Sequence, residues 1–148
     1  FHLDRLLLHS PPFAAAWNDF MRQVRTGLSL PPKLREIAIC AVAVLNRAEY
    51  EFHHHAPLLL DAGGTAEQVE ALRRLEQGGG LAPVFDAAER AVIRLTTEMT
   101  RAVQVGDDTF AAVRAALPSE QQAVELVGVI AAYNMVSRFL VALGVEPE

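Results

Sequence analysis

Helix-stop and helix-start signals recur along this chain, and no segment between them carries the alternation of a strand. "LPP" at Leu30 to Pro32 reads as a helix entry, because proline is tolerated in a first turn. "GGT" at Gly63 to Thr65 closes one helix and opens another, with Thr65 and Gln68 at capping-box spacing. Gly106 before Asp107 and Asp108 repeats the pattern, as do Pro118, Ser119 and Gln122, and Gly144 ends the last helix. The segments between are rich in Ala, Leu, Glu, Gln and Arg, which favour helix. No window alternates with period two, so no strand is expected. Helices are predicted near 12–26, 32–46, 49–62, 65–76, 84–105, 108–116 and 119–143. "QGGG" at Gln77 to Gly80 is the most flexible-looking link, yet too short to separate domains. Residues 1–148 are therefore expected to form a single all-α domain of six to seven helices.

With 51% apolar and 21% charged residues, the chain reads as a soluble globular protein. A net charge of −5 without a Lys/Arg cluster argues against a nucleic-acid surface. Cys40 is the only cysteine, which excludes an intramolecular disulfide. No apolar run approaches the roughly 18 residues of a membrane span; "IAICAVAVL" (Ile37 to Leu45) is about half that. No signal-peptide pattern stands at the start, and an opening on Phe1 rather than Met leads us to expect missing N-terminal residues. A cytoplasmic protein without nucleic-acid or membrane partners is the expectation. Segments 32–46 and 119–143 are apolar around their whole circumference, so each should be buried on several sides. Either subunits of a homo-oligomer cover each other's helices, which is the favoured expectation, or the core is thick.

"YEFHHHAPLLL", Tyr50 to Leu60, sets three histidines in a greasy helix. Helical residues advance about 100° each, so the three rings diverge and cannot close on one metal ion. Spacing of i,i+4, which a two-histidine helical site needs, is absent, and no metal is expected. Phe52, Ala56 and Leu59 form the apolar stripe. His55 lies on its margin, His54 opposite and solvated, and His53 on the other flank. Glu51, four residues before His55, is placed to orient its ring, and from the residues alone the slightly favoured reading is a half-buried histidine held by Glu51 with no further role. Glu36 is a second unusual residue, a carboxyl group on an apolar helix beside the small residues Cys40 and Ala43. Small neighbours leave room for a substrate, and burial suits a carboxyl group to proton transfer. A salt bridge from Glu36 to Lys33 or Arg47 is the alternative.

Glu36, then Tyr50-Glu51-Phe52-x-x-His55, then Ala62-Gly63 and Thr65-x-Glu67-Gln68-Val69 together resemble the carboxymuconolactone decarboxylase family, whose superfamily includes the alkylhydroperoxidase D-like proteins. "AERAVIRLTTEMT" and "YNMVSRFLVALGV" extend the likeness over nearly the whole chain. The resemblance implies an AhpD-like helical fold assembled as a dimer, trimer or hexamer. It also implies that Glu36 and His55 meet in one pocket, lined or closed by Tyr50 and Phe52. One departure bears on chemistry. Alkylhydroperoxidase members carry a Cys-x-x-Cys pair seven and four residues before the motif histidine, where this chain has Ala48 and Glu51. A dithiol peroxidase cycle is thus unavailable.

The resulting expectation is a cofactor-free enzyme that performs decarboxylation, or a related lyase reaction, on a small anionic or lactone-like molecule. His55, oriented by Glu51, and Glu36 would share the acid and base roles. Arg47 or Lys33 would hold a substrate carboxylate, with Tyr50, Phe52 and Cys40 around the substrate. A peroxidase-like antioxidant using Cys40 and an external thiol, and a non-catalytic helical oligomer or binding protein, are the alternatives.

Overall fold

The computed structural model describes residues 1–78, 81 and 83–148; Gly79 and Gly80 of the "QGGG" link lie outside the described residues. Among the described residues the chain forms eight α-helices and no strand: α1 His2–Leu7, α2 Pro11–Thr26, α3 Pro32–Leu45, α4 Glu49–Asp61, α5 Ala66–Arg73, α6 Ala87–Ala102, α7 Asp107–Ala116 and α8 Glu120–Ala142. A short 3-10 turn, Leu75–Gln77, follows α5. The extra helix is α1. Six residues without a side-chain cap leave almost no periodic signal, and Leu3 and Leu7, one turn apart, hold it by burial.

The local signals act as their chemistry requires. Thr65 and Gln68 exchange hydrogen bonds in a capping box at α5. Asp86 and Glu89 do the same at α6, and this box places the start of α6 at Ala87 rather than 84. Its end also comes early, because Val103 takes a left-handed φ of 63°. At the end of α4, Gly63 sits at φ 91°. The N–H of Gly63 donates to the Leu60 carbonyl and that of Gly64 to the Leu59 carbonyl, which makes a Schellman stop. Gly64 also leaves no room for a side chain: an added Cβ would lie 2.7 Å from the Leu59 carbonyl oxygen and equally close to its Cγ. Gly64→Ala should therefore cost about 1–3 kcal/mol, read as a lower midpoint in chemical denaturation with unchanged cooperativity. A midpoint equal to that of the parent would refute the close approach.

Helix α3 explains its own composition. It packs against α4, α6 and α8, with α5 and the 3-10 turn closing over it. Every residue from Glu36 to Ala43 is buried. Ala38, Cys40, Ala41 and Ala43 keep its surface narrow, so three neighbours approach closely. The thick core thus accounts for α3, and no second subunit is needed to cover it. Helix α8 differs. It buries Leu126, Val129, Ile130, Val136 and Leu140 in the core but leaves Val124, Met135 and Val141 exposed. By length and composition α8 is also apolar enough to cross a membrane. Here that apolarity serves a core helix in contact with α2, α3, α4, α6 and α7.

Candidate active site

Three helices, α3, α4 and α8, each present two inward residues one turn apart. Glu36 and Cys40 come from α3, Glu51 and His55 from α4, and Tyr133 and Ser137 from α8; all six are buried. The i,i+4 spacing stacks each pair along one helix face.

In the first set, the Glu36 carboxylate accepts from His55 Nδ1 at 2.7 Å. Its other oxygen accepts from Arg35 Nε at 3.1 Å. Both carboxylate oxygens are thereby occupied, so Glu36 positions the imidazole more than it acts as a free acid. A carboxylate can only accept, which puts the Nδ1 proton on this bond and leaves Nε2 as the exchangeable position. The His55 ring meets Tyr133 edge-on, with centroids 5.0 Å apart. The Tyr133 hydroxyl oxygen accepts from Arg25 Nε at 3.3 Å. Burial pushes the Tyr133 phenol up to about 12, with Arg25 opposing.

In the second set, the Ser137 hydroxyl donates to Glu51 Oε2 at 2.7 Å. Among the described residues Glu51 Oε1 has no hydrogen-bond partner. Glu51 was expected to orient His55, and it does not: Glu36 holds the ring, and Glu51 turns to α8. Surface i,i+4 pairs are worth only about 0.2–0.5 kcal/mol, so a bond between buried groups on different helices prevails. Burial holds the Glu51 carboxyl well above the usual carboxylate range, the Ser137 bond opposing. A carboxyl raised in the folded state contributes stability that is complete below its ordinary value of 4.5 and lost as pH climbs through the folded one. Glu51→Gln, which mimics the neutral acid, should melt like the parent in mild acid and above it at mildly alkaline pH. Parallel pH profiles of the melting temperature would rule out the neutral, buried acid.

Cys40 is fully buried, and burial raises its thiol pKa, with Glu36 and then Glu51 adding to the shift. Such a thiol carries almost no thiolate for attack on a peroxide.

A cavity of about 480 Å³ opens on four of these six residues, within the range of small-molecule sites. Glu36, Glu51, His55, Tyr133 and Tyr50 line it, and Arg25 and Arg35 supply its guanidinium groups. Tyr50 donates to Glu148 at 3.3 Å and packs on His54. The remaining expected site residues lie elsewhere. Phe52 is buried away from the cavity, beneath the Arg73 guanidinium. Cys40 does not line the cavity either. Arg47, two residues beyond α3, has a left-handed φ of 55° and carries an exposed side chain near Glu76. Lys33 pairs with Glu89 at 2.6 Å. Neither Arg47 nor Lys33 lines the cavity, whose guanidinium groups are those of Arg25 and Arg35.

The triplet separates as its angles require for His53, which is exposed, and His55, which is buried. His54 was expected in solvent but is half-buried at the cavity, between Tyr50 and Phe1. Residues just before and within α1 fold over that side, and no helical angle within α4 could reveal it. Among the described residues no group of three His, Cys, Asp or Glu side chains is arranged to hold a metal ion. Arg25, Arg35, Tyr133 and Ser137 went unrecognised. The available signal was the i,i+4 placement of Tyr133 and Ser137 on an apolar helix.

Comparison with known proteins extends this picture. A peroxidase-related protein from Silicibacter sp. TM1040 superposes with a TM-score of 0.85 at 20% identity, over 99% of this chain and 75% of that one. A protein of unknown function from Agrobacterium tumefaciens, proposed as an antioxidant defence protein AhpD, gives a TM-score of 0.82 at 19% identity, over 97% and 95%. At these identities the likeness is one of fold. No curated protein matches. The model of the carboxymuconolactone decarboxylase family matches residues 11–98, more than half of the sequence and all of the segment that carries Glu36, Glu51 and His55. The chain belongs to the carboxymuconolactone decarboxylase family.

Proposed function

We propose that the cavity performs acid–base chemistry, decarboxylation or a related lyase reaction, on a small anionic or lactone-like molecule. The observation that carries this reading is the bond between His55 Nδ1 and Glu36, itself held by Arg35. It fixes the imidazole and leaves Nε2 as the proton-transfer atom in a cavity of substrate size. In decarboxylation, the bond between the carboxylate carbon and its neighbour breaks and CO2 leaves. The electron pair passes into a conjugated carbonyl group as a dienolate. The imidazolium, with its Nδ1–H held on Glu36, then gives its Nε2 proton to carbon and is left as neutral imidazole, which solvent reprotonates, so one proton is consumed per turnover. Arg25 and Arg35 are the cations placed to hold the departing carboxylate.

A peroxidase reading lacks support, since Cys40 is buried, outside the cavity and held as the thiol. Association of copies through the exposed Val124, Met135 and Val141 of α8 belongs to the same proposal. The test is CO2 release from a panel of unsaturated lactone carboxylates, comparing the parent with His55→Asn. Release that requires His55 supports the enzyme. A panel that is never turned over leaves the scaffold reading, and a variant as active as the parent removes His55 from the chemistry.

A further inference from the structure

Tyr133 plays no part in the proton transfer just described, yet it is 1% exposed and lines the same cavity. Its hydroxyl oxygen accepts from Arg25 Nε, and no acceptor for its own proton is found among the described residues. Buried polar hydrogens are almost always donated to something, so this one is directed to whatever fills the cavity. Two neighbouring groups are already committed. Glu36 is an acceptor with both oxygens taken, and His55 Nδ1 is spent on Glu36. A phenol kept neutral by burial remains a donor at physiological pH, and the guanidinium behind it strengthens the bond it gives.

We propose that Tyr133, backed by Arg25, donates a hydrogen bond to a substrate oxygen that gains negative charge during the reaction. The inference rests on the acid–base reading above. As the carbon–carbon bond breaks, its electron pair moves through the conjugated system onto the carbonyl oxygen. Tyr133 stabilises that oxyanion while keeping its own proton. When His55 protonates carbon, the pair returns and the carbonyl group re-forms. The two rings meet edge-on and both residues line the cavity, so a single conjugated unit can reach both. Preorganised donors of this kind act on the charge that develops, not on the ground state. The substrates implied are carbonyl compounds conjugated to the carbon that accepts the proton.

The probe is 4-nitrophenolate, a delocalised oxyanion, with neutral 4-nitrotoluene as its control, each titrated by calorimetry at a pH where the phenol is ionised. The parent should prefer the phenolate. Tyr133→Phe should lose about 10- to 100-fold in phenolate affinity and bind 4-nitrotoluene as before, a selectivity change that a purely structural role would not produce. Arg25→Gln, at the exposed mouth, should lose part of the same preference and serves if Tyr133→Phe does not fold. Equal phenolate affinity in parent and folded variants, or a parent without preference for the oxyanion, overturns the proposal. Because affinity is read without turnover, failure here is separate from failure of the decarboxylase reading, which His55→Asn decides.

Discussion

His55→Asn should lower turnover by a factor of about 10²–10⁴ while leaving the fold intact. The asparagine amide nitrogen falls near the former Nδ1 position and can still donate to Glu36, so the buried carboxylate keeps a partner. What disappears is Nε2, the atom assigned to carry the proton. A general acid is worth two to four orders of magnitude because it delivers a proton as charge develops, without a search through solvent. The measurement is kcat for the panel substrate that the parent turns over, with melting followed by circular dichroism. Melting should stay within a few degrees of the parent. Turnover within tenfold of the parent would remove His55 from the chemistry.

Glu36→Ala should be the most destabilising change at the site, at about 3–5 kcal/mol before relaxation. Glu36 is 2% exposed and His55 8%, so neither is well served by water. Removing the carboxylate leaves the Arg35 guanidinium and the His55 Nδ1–H without their acceptor at once. Solvent in the cavity can recover part of this, which places the expectation at the lower end, or roughly a 10 °C fall in melting temperature for a domain of this size. Glu36→Gln keeps the shape and one acceptor oxygen, and should lose less. A Glu36→Ala variant that melts with the parent would show that the pair is already hydrated and contributes little.

What was legible in the sequence was local. Thr65 with Gln68, Ser119 with Gln122, and Gly63 and Gly144 act over three or four residues, so their reading needs no knowledge of packing. The same range explains the misses. Helix α1 is too short to show a period, and His54 was placed in solvent because the residues that cover it belong to the start of the chain. Glu51 was assigned to His55 by helical neighbourhood, but the partner it took, Ser137, lies 86 positions away. The two apolar helices looked alike in sequence; packing buried α3 within its own chain and left one side of α8 open.

The sequence by itself determined that the chain is helical, where most helices stop, and, through its motif, which glutamate and which histidine belong to one family pocket. Only the tertiary structure decided that Arg35 rather than Lys33 or Arg47 holds Glu36, that Tyr133 meets His55 and takes a bond from Arg25, and that Cys40 is out of reach. The division has one physical cause. Caps and turns are closed by hydrogen bonds between near neighbours. The wall of a cavity is set by the packing of whole helices, whose contacting residues stand far apart in the chain: Glu36 and His55 are separated by 19 positions, and Tyr133 and Arg25 by 108.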